Sequence, residues 1–237
     1  MRFEELPTPC YVVDEGLVEK STDLKRSYKT YRMQNHLGTK KAFSMYKMYP
    51  LVAEYLHGTT ASGLFEARLG YEEMGKENHV FAPAYRDDEI DEIAEICDHI
   101  IFLTPSHSWR NLRIKCCKLA KKVGLRINPE CSTQDGHDIY DPCATGSRFG
   151  VTREQFRPEL LEGVSGLHFH TLCQQNSDDL AKKTLEAVEE KFGEWLPQME
   201  WINFGGGHHI TREDYNIPLL EECIKKNAGE IRFRSVS

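Results

Sequence analysis

Trp201-Ile202-Asn203-Phe204-Gly205-Gly206-Gly207 reads as an apolar strand that runs into three successive glycines. A strand-to-helix turn needs less backbone freedom than three glycines supply. At the C-terminal end of a barrel strand, such a run lets backbone N–H groups approach a phosphate closely. An ordinary turn is the competing reading. The same sequence grammar recurs upstream. Apolar runs suited to strands fall at 10–14, 58–62, 79–82, 99–103, 122–128, 164–170 and 200–204, with a poorer one ahead of Lys41. Amphipathic stretches near 15–30, 46–57, 64–75, 87–97, 106–120, 177–192 and 213–226 separate them. Thr211-Arg212-Glu213-Asp214 reads as a helix start with an acidic first turn. This β/α alternation predicts a parallel sheet, and the count favours a (β/α)8-type barrel. With 10–14 set aside, about seven barrel strands are expected, and the chain stops about where the eighth is due.

The length suits one large domain or one and a half domains. The chain has 237 residues, 40% of them hydrophobic, and a formal net charge of −7. That acidic balance argues against nucleic acid as the main partner. Apolar runs are too short to span a membrane. The eight cysteines form no CxxC pair and follow no signal peptide, which predicts reduced thiols in a cytoplasmic protein. Cys116-Cys117 is read as carrying no redox role. The segment 128–148 is rich in Gly, Pro and Asp without a period, and long for a silent loop, so a function is expected of it.

Several residues carry candidate chemistry. Lys41, in Lys40-Lys41-Ala42-Phe43-Ser44 at the end of a predicted strand, is a candidate Schiff-base lysine, with a solvated surface lysine as the alternative and Lys40 as a competitor. His168-Phe169-His170 ends another strand, and alternation puts both histidines on one face. An imidazole stacked on a cofactor ring is one reading; metal ligation with His208 and His209 is a second, ranked lower because no carboxylate offers a clear further ligand. Arg148, in Ser147-Arg148-Phe149-Gly150, is a candidate for holding a cofactor oxygen or an acidic neighbour such as Glu66. A surface arginine in a turn is the simpler alternative.

Taken together, these stretches resemble the fold-type III pyridoxal-phosphate decarboxylases, and within them the branch acting on carboxylated polyamines. The resemblance rests on Thr8-Pro9-Cys10-Tyr11-Val12-Val13-Asp14, Lys41 to Tyr46, Gly58-Thr59-Thr60-Ala61-Ser62, Leu125 to Glu130, His137 to Pro142, Leu167 to Leu172 and Asn203 to Ile210. It implies pyridoxal 5'-phosphate (PLP) as cofactor, with Lys41 as its covalent tether and His170 stacked on its ring. Gly205, Gly206 and Gly207 would cradle the phosphate, Cys173 falls at a phosphate contact, and Arg148 stands as a further cofactor ligand. The implied reaction removes the α-carboxylate of carboxynorspermidine or carboxyspermidine, a small-molecule polyamine amino acid. Diaminopimelate or ornithine decarboxylation, or a non-catalytic PLP-binding fragment, are the alternatives. Family members act as homodimers with the site at the interface.

The resemblance also divides the chain. Residues 1–14 correspond to a strand that joins a C-terminal β-domain, 15–226 to the PLP-binding barrel, and 227–237 to an aberrant tail. The windows 25–40, 110–121 and 227–237 depart from the family pattern. Each can be back-translated into a family-like run in a shifted reading frame, so frameshifts are the expectation there. On that reading the eighth strand and the β-domain are missing, and the chain as written is expected to lack decarboxylase activity.

Overall fold

The computed structural model describes residues 3–19, 37–39, 43–103, 107–133, 141–230 and 234–236. Eight strands form one parallel path: β1 (Leu37–Thr39), β2 (Gly58–Ala61), β3 (Glu77–Phe81), β4 (His99–Phe102), β5 (Lys122–Asn128), β7 (Gly166–His168), β8 (Trp201–Asn203) and β9 (Arg234–Val236). A two-residue strand, β6 (Val151–Thr152), pairs with the end of β5 off this path. Strand order follows chain order, and helices fill the connections, as a barrel built from βαβ units requires. Seven strands are complete by Asn203, matching the expected number. The three residues of β9 then occupy the eighth place, alongside β8.

Alternation along β3 shows how sequence sets the two faces. Asn78 points outward, where its side-chain amide donates to the Ala67 and Ile96 carbonyls of the flanking helices. Glu77, His79 and Phe81 therefore face inward. One register row crosses the barrel interior from Phe81 to Ile101, Gly124, Gly166 and Trp201. Trp201 is 2% exposed, and its indole N–H donates to Ser165 Oγ at 3.0 Å. A Cβ on either Gly124 or Gly166 would collide with atoms of its ring. Two strands thus forgo side chains so that a third can place an indole across the barrel's middle. Outward-facing Val80, Ile100, Val123, Leu125, Leu167 and Ile202 pack under the helices in the main apolar core.

Helices lie close to their expected spans: Tyr49–Tyr55, Leu64–Glu73, Ile90–Ile96, His107–Lys118, a run ending in Leu185–Phe192, and Ile217–Glu230. The last begins later than the acidic stretch 211–214 suggests. Asn216 Oδ1 accepts the Leu219 N–H at 3.1 Å, and Pro218 sits in the first turn, so capping chemistry fixes the start there. Residues 211–214 form turns instead, with Arg212 paired to Asp214. Residues 10–14, matched by resemblance to a strand of a β-domain, belong to no strand among the described residues, and Tyr11 is fully exposed. No helix among the described residues is long and apolar enough to cross a membrane.

Candidate functional site

Strands β5, β7 and β8 finish at one rim, where the inward residues Arg126, His168 and Asn203 form a register row. Asn203 Oδ1 accepts the Gly205 N–H at 2.7 Å and lies 3.0 Å from His168 Nδ1. An oxygen already accepting from a backbone amide must accept again, so His168 carries its proton on Nδ1. Burial is the main force holding His168 well below the usual histidine range, with the Arg126 charge adding to it. This ring is therefore neutral at pH 7.

Arg126 is 4% exposed and lies under two aromatic rings, 4.9 Å from the Phe81 centroid and 5.3 Å from that of Phe149. Its Nη2 donates to the His170 carbonyl at 3.3 Å, while its Nε is buried with no hydrogen-bond partner. Among the described residues no carboxylate pairs with it. Burial lowers its pKa to about 10, which still leaves it charged at pH 7. A buried, unpaired guanidinium costs several kcal/mol unless an anion arrives. This side chain is a candidate that motif reading missed. Its signal was an arginine at an inward position of the otherwise apolar run Val123 to Ile127.

The glycine loop packs directly on the segment after β7. Gly205 and Gly207 have φ of +74° and +89°. A Cβ at Gly205 would stand 2.5 Å from the Phe169 carbonyl oxygen, and one at Gly207 would collide with that of Leu172. These two positions require glycine both by conformation and by contact. Gly206 differs: a Cβ there would meet only His170 Cε1, at 3.8 Å. Its N–H donates to His170 Nδ1 at 3.2 Å, so the loop itself orients the imidazole. Further along, Gln175 N–H donates to Gly207 O, and His209 N–H to Gln175 O, at 2.9 and 3.0 Å. Thr133 Oγ1 donates to the Thr171 carbonyl at 3.1 Å. The loops after β5, β7 and β8 are stitched into one surface.

Of the residues singled out from sequence, the structure brings His170, Cys173 and Gly205 to Gly207 together on this surface. Cys173 is half-buried beside Gly207. Arg148 is exposed, its guanidinium 5.4 Å from the Phe149 ring that also faces Arg126. Lys41 and residues 134–140 lie outside the described residues. Glu66 accepts the Ser62 N–H at 2.7 Å, a helix-start contact. The alternative metal grouping of His168, His170, His208 and His209 is not assembled among the described residues. His208 Nδ1 instead lies 2.6 Å from the Tyr215 hydroxyl.

A neutral buried histidine, an unpaired guanidinium and a tight glycine loop suit an anionic ligand carrying an aromatic ring. No protein-family model matches the chain. The chain is 38% identical over 227 residues to a carboxynorspermidine/carboxyspermidine decarboxylase of Campylobacter jejuni subsp. jejuni, covering 95% of this chain and 58% of that protein. It is 40% identical to a carboxyaminopropylagmatine decarboxylase of Synechocystis sp., covering 91% of this chain and 55% of the relative. The chain thus spans little more than half the length of the curated relatives it matches. Its structure superimposes on carboxynorspermidine decarboxylase from Campylobacter jejuni, solved with norspermidine, with a TM-score of 0.87 and 35% identity over 98% of this chain and 59% of that one. SrLDC, solved with PLP and cadaverine, shares the fold at a TM-score of 0.69 and 16% identity, over 98% of this chain and 61% of that one.

Proposed function

We propose that this chain is the cofactor-binding barrel of a PLP-dependent decarboxylase acting on carboxynorspermidine or carboxyspermidine. The observation that carries the reading is the likeness to carboxynorspermidine decarboxylase over 98% of the chain at a TM-score of 0.87. The relatives matched at 38 and 40% identity are decarboxylases of carboxynorspermidine/carboxyspermidine and of carboxyaminopropylagmatine, whereas the diaminopimelate decarboxylases match at 15 and 18%. Carboxyaminopropylagmatine is a second reading of the substrate, favoured by the 40% identity. All these substrates are α-amino acids with a cationic tail.

The rim fits PLP on its own terms. Arg126 has an unpartnered buried Nε–H to give to an anionic oxygen. Gly206 has open space before it, beside the His170 ring. Arg126, His170, Cys173 and Gly205 to Gly207 would hold the cofactor, Arg148 would act from the exposed turn, and Lys41 would tether it covalently. Bound there, PLP supplies an electron sink for the charge left on Cα when CO₂ departs. The protein's part is to position and to exclude water. Asn203 fixes the His168 tautomer, and burial keeps that ring neutral, so no second cation competes with Arg126 for the anion. The Gly206 N–H holds His170 in one orientation.

Residues 15–226 carry the cofactor-binding part of the barrel in this reading, and the active assembly is a homodimer. A reducing, cytoplasmic setting is supported by seven free cysteines among the described residues. The test adds PLP to the purified chain, fixes it with borohydride and maps the added mass by peptide sequencing. Label on Lys41, lost in Lys41→Ala, is the expected result; label spread over other lysines, or none, refutes the site. Carbon dioxide release from carboxyspermidine, read in parallel, separates cofactor binding from turnover, which the chain as written is expected to lack.

A further inference from the structure

The opposite, N-terminal mouth of the barrel holds a second cluster that decarboxylation does not use. Glu77 and His79 share the inward face of β3, and His99 is the register partner of His79 on β4. Glu77 Oε1 lies 2.7 Å from His79 Nε2 and 3.2 Å from His99 Nε2. The imidazoles stack with centroids 3.8 Å apart and planes 11° from parallel. His79 is fully buried and His99 is 9% exposed. Each ring also has a buried Nδ1 with no hydrogen-bond partner. One carboxylate oxygen therefore serves two rings, while two ring nitrogens are served by nothing. A hydrogen-bond cluster that existed only to stabilise the fold would be expected to satisfy its buried atoms.

We propose that Glu77, His79 and His99 form a three-ligand site for a divalent transition metal of the Zn²⁺ class. One ligand atom from each residue lies within 4.8 Å of the others. Two imidazoles and one carboxylate make a borderline donor set that suits Zn²⁺ over Mg²⁺ or Ca²⁺ and leaves coordination positions open. For their lone pairs to converge on one ion the two rings must splay from the stacked arrangement, hinging about Glu77. Glu77 and His99 also line a cavity of about 1230 Å³ at this mouth. Glu72, Glu95, Asp98 and Glu200 line it too, against Lys76 and Lys122, so the approach carries net negative charge that draws cations in. The Trp201 layer stands between this mouth and the glycine rim. The ion ties β3 to β4 and takes no part in chemistry at the other end.

The experiment titrates Co²⁺ into the purified, untagged chain and reads its visible ligand-field absorption. Wild type is compared with Glu77→Gln, His99→Gln and the exposed control His57→Gln, and circular dichroism checks each fold. The expected result is one equivalent bound, with a nitrogen/oxygen spectrum and displacement by Zn²⁺. Affinity falls by at least about tenfold in Glu77→Gln and His99→Gln and is unchanged in His57→Gln. Zn²⁺ raises the melting temperature of wild type but not of Glu77→Gln. No uptake, a thiolate charge-transfer band, or unchanged affinity in Glu77→Gln overturns the proposal. Glu77→Gln keeps the side-chain shape, so it decides the matter should His99→Gln fail to fold.

Discussion

At Arg126, burial and charge pull in opposite directions. The guanidinium is held under Phe81 and Phe149 with one N–H unserved. Replacing it by Met keeps the length and removes the charge. The expected outcome for Arg126→Met is PLP affinity lower by about tenfold, roughly 1.4 kcal/mol. The urea midpoint of the cofactor-free chain should hold or rise, because no carboxylate is left stranded. Fluorescence titration and urea unfolding read the two effects separately. The histidines give a pH prediction. Burial pushes His208 down to about 4 and His168 well below 6.5. Both pKa values are lower in the folded state, so the unfolded chain takes up protons first as pH falls. Their contribution is complete above about pH 6.5 and is lost as pH falls below it, down to about 4 for His208, at up to about 1.4 kcal/mol per pH unit for each ring. Urea midpoints at pH 7.5, 6 and 5 should fall in that order. At this scale the sequence was legible where a residue sat in a motif, as His170 and the three glycines did. Arg126 was not, because its meaning depends on having no acidic neighbour in space among the described residues. Glu77, His79 and His99 escaped for the related reason that β3 and β4 had to be aligned first.

Elements were more readable than their ends. The helical spans follow from apolar periodicity, but the start of Ile217–Glu230 was set by one capping side chain that periodicity does not register. Asn216→Ala should lower stability by about 1 kcal/mol, measured by urea unfolding. The glycine loop was read as a phosphate cradle, and the structure adds a reason internal to the fold. Gly205 and Gly207 let the loop lie on residues 169–172, and two of its N–H groups are used to fix Asn203 and His170. Gly207→Ala combines a φ of +89° with a collision at the Leu172 carbonyl. It should destabilise the chain by about 3 kcal/mol and weaken PLP binding, whereas Gly206→Ala should cost about 1 kcal/mol or less. Comparing the two variants separates the packing role of the loop from its ligand role.

For the molecule as a whole, alternation of strand and helix was sufficient to give a parallel sheet of about seven barrel strands and the rim at which a site would form, while no pairing joins β1 to β9 among the described residues. What alternation could not give is the filling of the barrel. Trp201 reads as one more apolar residue in its strand, and Gly124 and Gly166 read as weak points in theirs. Only pairing β5, β7 and β8 in register shows that the glycines make room for the indole. Trp201→Ala should therefore cost about 4 kcal/mol, at the upper end for an aromatic truncation, since no neighbouring side chain stands on the two glycines to collapse into the void. Gly166→Ala should also destabilise, by about 3 kcal/mol, through overpacking against the same ring. Equilibrium unfolding of both variants and of the double variant tests the coupling: the pair should be less costly than the sum.

The same indole has a consequence for traffic. It lies between β4 and β8, its ring 5.0 Å from that of His99 and one register layer below the row of His168 and Asn203. A ligand reaching the glycine rim and a cation reaching Glu77 approach from opposite ends of the strands and displace different water. Occupancy of one end should leave the affinity at the other unchanged, and the two binding free energies should simply add.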